Sequence, residues 1–215
     1  MKIKREGIVF LFLVILLSVI VSAISFTIDD QDLFRLAVRL FALNGFMALS
    51  LATILTPFLK EIKAIFGQPF IKVHHSFAAF GLVFVTLHPL LLAISASNFG
   101  VFLPNFSSWY TFWALGGRQA FIIFLVALSA VLVRRKLIRY WRMFHVLMYL
   151  VLFFAIVHGN LIGTDFENPL ISLTFNALFA VSIGAFILKR FRNMQIKKTM
   201  SPSKNSKVIQ SSKSG

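Results

Sequence analysis

Cysteine is absent from this 215-residue sequence. Its absence excludes disulfides, iron–sulfur ligation, thiolate catalysis and covalent cofactor attachment through Cys-x-x-Cys-His. Acidic residues are also scarce: seven Asp and Glu stand against 22 Lys and Arg. No long polar stretch is present that could fold as a soluble catalytic domain. What fills the chain is apolar. Hydrophobic residues make up 58%, and mean hydropathy is +0.85. Several apolar runs reach about 20 residues, the length that crosses a bilayer.

The pattern predicts an all-α, polytopic membrane protein of the cell membrane, a six-helix bundle surrounded by lipid. The spans fall near 8–26, 37–59, 73–95, 118–134, 142–160 and 168–188. The first apolar run, from Ile8 to about Phe26, follows Met1-Lys-Ile-Lys-Arg. It is longer than a signal-peptide core, and Val21-Ser22-Ala23 only approaches a cleavage motif, so it reads as a span. A net charge of +15 in a soluble protein would suggest nucleic acid. Here it reads as topology, and no nucleic-acid partner is expected. In a six-span layout, 19 of the 22 basic residues lie on one side, and Asp29, Asp30, Asp32, Asp165 and Glu167 lie on the other. The positive-inside rule therefore places both termini in the cytoplasm. The expected organisation is a first helix and external loop over 1–36, a core over 37–165, a last helix over 166–192 and a disordered basic cytoplasmic tail over 193–215. Trp109, Tyr110 and Trp113, in an aromatic external segment, suit the headgroup level.

Histidine is costly inside a bilayer unless its ring finds a partner. Four such histidines form two similar sets: His74 or its neighbour His75 with His88 on the third span, and His145 with His158 on the fifth. Both spans run outward from the basic side. The sets therefore meet at two depths, and 13 or 14 residues separate the levels by about 20 Å. That leaves room for two stacked porphyrins, each iron held by one imidazole from either helix. Neutral imidazole is tolerated in lipid and ligates iron, and two axial histidines favour electron transfer over oxygen binding. Fourteen positions return to within about 40° on a helix, so His74 and His88 share a face and His74 is preferred over His75. Thirteen positions miss by about 140°. The fifth span must then be kinked or present its histidines from opposite flanks. Zinc or copper transport is the competing metal reading, but it would call for carboxylates, Cys or Met beside the histidines, and the spans contain no acids.

The run Tyr140-Trp-Arg-Met-Phe-His145-Val-Leu-Met-Tyr-Leu-Val-Leu-Phe-Phe-Ala-Ile-Val-His158-Gly resembles the ligand helix of the ferric reductase-like transmembrane domain. That domain is shared by ferric reductases, NADPH oxidases and the heme-binding membrane subunit of the bacterial methionine sulfoxide reductase system. Residues 74–89, from His74-His75 to His88-Pro89, resemble the partner helix. The resemblance covers about residues 40–160. It implies a six-helix bundle binding two hemes b and moving electrons across the membrane. Family ferric reductases and oxidases carry a flavin and NADPH module, whereas about 25 residues follow the last span here, without Gly-x-Gly-x-x-Gly. The donor is therefore expected to be a separate cytoplasmic-side reductase or a quinol, with flavin or quinone as further cofactor candidates.

Arg118 and Arg142 are candidate contacts for heme propionates, by bidentate hydrogen bonds. Gly81, midway between His74 and His88, suggests close approach of a ring or of a packed helix. Phe80, Phe84, Phe153 and Phe154 fall between the histidine levels as filler of the core or of the gap. Pro89 frees a backbone carbonyl beside His88. The expected function is a di-heme b-type cytochrome, an oxidoreductase component passing electrons to an unspecified acceptor at the outer face. The alternatives are a heme-binding subunit serving a separate partner reductase, or a metal-ion transporter using the histidines.

Overall fold

A computed structural model describes residues 3–28, 32–136 and 140–200, with side chains through 195. Every regular element among them is helical. Eight α-helices follow in order: α1 (Arg5–Ile28), α2 (Leu33–Ile54), α3 (Leu59–Phe66), α4 (Phe70–Ser95), α5 (Trp109–Ala114), α6 (Gly116–Leu132), α7 (Trp141–Ile162) and α8 (Pro169–Met200). Short 3-10 turns occupy Phe99–Phe102 and Thr164–Glu167. Asp29, Asp30 and Arg139, which the charge distribution uses, lie outside the described residues, as does the tail from 201. The last helix continues past Arg192 to Met200, into the stretch expected to be tail.

Five helices are long and apolar enough to cross a membrane: α1, α2, α4, α7 and α8. The predicted fourth span corresponds to α6, an apolar helix of 17 residues. It rises about 25 Å, less than the roughly 30 Å hydrocarbon core. Its register begins at Gly116 and closes at Leu132, two residues earlier than the apolar run suggested at each end.

Helix α2 is the hub. Over half of its apolar stretch is buried, far more than in any other span-length helix. The side chain of Asp32 caps its start by accepting from Phe34 N–H at 2.9 Å. It lies closest to α4, and glycines permit the approach from both sides. A Cβ on Gly45 would meet Val85 N at 3.0 Å, and one on Gly81 would meet Leu49 Cγ at 2.7 Å. Gly81 is thus filled by Leu49 of α2, which excludes a ring from its backbone. Further around the bundle, Leu43 and Phe46 of α2 join Leu152 and Ile156 of α7 and Ile171 and Phe175 of α8 in one core. Helix α6 packs along α7, with Phe124 and Val151 buried between them.

Polar contacts mark the two ends. At the basic end, α3 stops at Gly67, whose φ of 66° suits glycine, and Lys4 N–H donates to Phe66 O. Arg192 of α8 donates to Pro57 O at 2.8 Å and lies 3.8 Å from Glu61. At the opposite end, Arg39 of α2 reaches Ser25 O of α1 and pairs with Asp165 at 3.2 Å. Between the ends, Ser18 and Ser22 of α1 hydrogen-bond Asn44 of α2.

Candidate functional site

Two cavities in the bundle are lined by histidines. The lower one, at the basic end, has a volume of about 370 Å³, and His74 and His145 are in its wall. The upper one, of about 320 Å³, has His88 and His158 in its wall. Each cavity therefore takes one histidine from α4 and one from α7. Leu49 lines both and forms part of the partition between them.

The backbone fixes three of the four rings. His74 Nδ1 is 3.0 Å from Ala52 O, His88 Nδ1 is 2.9 Å from Val38 O, and His158 Nδ1 is 2.6 Å from Ala114 O. A carbonyl only accepts, so each Nδ1 carries the proton and donates it. That assigns the tautomer in which Nε2 keeps its lone pair. A carbonyl holding the far nitrogen is the usual support behind a metal-ligating histidine. His145 is held by rings: its centroid lies 6.1 Å from that of His74 and 6.2 Å from that of Trp141.

Helix α7 is unbroken from Trp141 to Ile162, and it presents its two histidines to different neighbours. His145 meets His74 of α4, whereas His158 donates to Ala114 O at the end of α5 and lies beside Gly117 of α6. A Cβ on Gly117 would lie 3.2 Å from His158 Nε2, so glycine there makes room for the ring. His75 is exposed and lines neither cavity, while its neighbour His74 is buried. The one-residue step of about 100° carries His75 off the shared face.

Arg118 lines the upper cavity, with its Nη1 donating to Gly100 O at 3.1 Å and Leu103 O at 2.9 Å. It thereby ties the Phe99–Phe102 turn over the cavity. Arg142 lines the lower cavity, its guanidinium 5.6 Å from the centre of the Trp141 ring. The phenylalanines between the histidine levels do not bridge the cavities. Phe80 is 63% exposed, Phe84 packs on Phe41, and Phe154 stacks on Trp113. The aromatic segment before α6 is partly exposed, with Trp109 at 77% and Tyr110 at 62%.

Sequence reasoning missed four charged residues in the cavity walls. Arg39 and Asp165 line the upper cavity as an ion pair whose side chains are 12% and 6% exposed. Lys189 and Arg190 line the lower cavity. A signal existed for Arg39: with Arg35 and Arg118 it is one of three basic residues that break the one-sided distribution, and it lies inside a predicted span. Lys189 offered none, because at the end of an apolar run it reads as an ordinary topology charge.

Among the described residues, no group of three or more His, Cys, Asp or Glu forms a site for a bare metal ion. No family model, curated protein or solved structure matches this chain.

Proposed function

We propose that the protein is a membrane cytochrome of the di-heme b type, which carries electrons between a donor at its basic end and an acceptor at the opposite end. The observation that carries this reading is the pair of stacked cavities, each with one histidine from α4 and one from α7. The residues fit the group. Nδ1–H donation to Ala52, Val38 and Ala114 leaves Nε2 of His74, His88 and His158 as a ligand atom. Nitrogens bonded about 2 Å to either side of one metal put imidazole centres roughly 6 Å apart. The 6.1 Å between His74 and His145 supports that arrangement. A porphyrin supplies four nitrogens of its own, so two protein ligands per site suffice. A bare ion needs three or four, and the described residues bring no such cluster together.

Heme bound in each cavity supplies a one-electron iron couple, with a potential tuned by axial ligand and burial. The protein's part is to hold and insulate. His74 with His145, and His88 with His158, would hold the iron of each group, and largely apolar side chains would surround it. Leu49 separates the two levels. The distribution of Lys and Arg supports a six-span topology with the basic end in the cytoplasm, in which α6 is the shortest crossing. The donor then works from the cytoplasmic side, and the acceptor is ferric iron, another outer-face oxidant or a partner reductase.

A dithionite-reduced spectrum with a pyridine hemochrome assay tests the reading. Two hemes b per chain are expected. His88→Ala or His158→Ala should leave the lower heme, and His74→Ala or His145→Ala the upper one. A folded protein without a reducible Soret band, after expression with sufficient heme, would overturn the proposal.

A further inference from the structure

The two upper histidines stand on different helices, and the supports behind them are joined by a buried ion pair. On the α4 side, His88 Nδ1 donates to Val38 O of α2 at 2.9 Å, and the next residue of α2 is Arg39. On the α7 side, the chain leaves the helix at Gly163 and folds back at once. Phe166 N–H donates to Gly163 O at 3.0 Å, and the Phe166 ring packs on Gly159, where a Cβ would meet it at 2.8 Å. Gly159 directly follows His158, so the turn that bears Asp165 is seated on the same stretch of α7 as that histidine. Phe175 of α8, itself 1% exposed, backs the Phe166 ring with centroids 5.8 Å apart. Arg39 Nε then meets Asp165 Oδ2 at 3.2 Å, in the wall of the upper cavity. The guanidinium is also anchored from α1, since Nη2 donates to Ser25 O and, at 3.1 Å, to Ser25 Oγ. A closed path of contacts thus runs from His88 through Arg39 and Asp165 to His158.

We infer that Arg39 and Asp165 are positioning residues of the upper site: their ion pair sets the distance between His88 and His158 and keeps both rings within bonding reach of one iron. This rests on the heme reading above and adds the device that holds its upper ligands in register. A buried ion pair is a poor means of stability alone, because an apolar pair of similar volume is often as stable. What charge adds is a short contact of fixed direction, which packed methyl groups do not impose. Ligand geometry needs that precision, since a nitrogen displaced by an ångström no longer bonds the metal. The expense of placing ionisable groups inside a bundle of membrane helices is explained by such a task.

The test uses the full chain in two backgrounds. His74→Ala with His145→Ala leaves the upper heme to be read alone, and His88→Ala with His158→Ala leaves the lower one. Iron held by two imidazoles has no open position for carbon monoxide, so the fraction of dithionite-reduced heme that binds carbon monoxide reports a lost ligand. In the upper background, Arg39→Met or Asp165→Ala should raise that fraction several-fold and convert low-spin ferric heme to high-spin. In the lower background neither change should move it. An unchanged fraction in the upper background would overturn the inference, and so would an equal rise in both, which would mark a general loosening of the bundle. Arg39→Met with Asp165→Leu separates positioning from stability and serves even where a single change prevents folding. The apolar pair should restore the thermal midpoint while the carbon monoxide fraction stays raised; restoration of both together would overturn the positioning role. Failure of the underlying reading looks different: neither parent background would show a reducible Soret band.

Discussion

Single side chains decide which histidine faces a cavity and how closely. His74 and His75 are chemically identical and adjacent, yet one is buried with its Nδ1 on Ala52 O and the other is exposed. His75→Ala should therefore keep both hemes, whereas His74→Ala should lose one, as counted by pyridine hemochrome. Gly117 tests the upper site without touching a ligand. An added Cβ would sit 3.2 Å from the His158 ring, tighter than ordinary van der Waals contact. Gly117→Leu should displace the ring and abolish upper-site heme while the lower heme stays; an unchanged count would refute the role given to this glycine. The Arg39–Asp165 pair is a stability question. Removing one partner of a buried pair leaves a charge in a poor solvent, at a cost of about 3–5 kcal/mol, whereas replacing both with apolar residues is often nearly neutral. Arg39→Met should lower the thermal midpoint in detergent, and Arg39→Met with Asp165→Leu should recover much of the loss.

Between elements, the α2–α4 crossing sets the distance between the cavity walls. Gly45 faces Val85 and Phe84, and Gly81 faces Leu49, so each helix gives a notch to the other. Close approach allows His74 and His88 of α4 to reach carbonyls of α2 at Ala52 and Val38. Gly81→Ala places a Cβ at 2.7 Å from Leu49 Cγ, an overpacking that typically costs about 1–3 kcal/mol. Because the clash is with a side chain, Leu49→Ala in the same protein should relieve it. The stability of the double variant should exceed the sum expected from the single changes, measured as a double-mutant cycle of thermal midpoints. Leu49→Ala also opens the partition between the cavities, so the cycle is read on stability and not on electron transfer. The same logic governs α7. It is unbroken over the 13-residue spacing: His145 lies against the His74 ring of α4, and His158 shares the upper cavity with His88 while donating to Ala114 O at the end of α5.

For the whole molecule, the two ends carry different chemistry. Lys4, Arg142, Lys189 and Arg192 gather with α3 at one end, and Arg39, Arg118 and Asp165 gather at the other. If the basic end faces the cytoplasm, reporters fused at either terminus should both be cytoplasmic, and one inserted near Asn105 should be external. A result with the termini on opposite sides would show that α6 does not cross, since five crossings separate the ends. The prediction is sharp because α6, with 17 residues, is the one helix near the lower limit for a span.

Composition and periodicity by themselves determined that this chain is helical and membrane-like, where its apolar helices begin to within about four residues, and that histidines occur at two levels on two of them. Those properties are local: they follow from hydropathy along the chain and from 3.6 residues per turn. Only the tertiary structure decided which carbonyls hold His74, His88 and His158, that Leu49 and not a phenylalanine stands between the levels, and that Gly81 receives a leucine. It also brought Asp165 to Arg39 and Lys189 to the lower histidines, residues 126 and 44 positions or more apart in sequence. The physical reason is that charge balance and packing are settled between helices, where distance along the chain carries no information about distance in space.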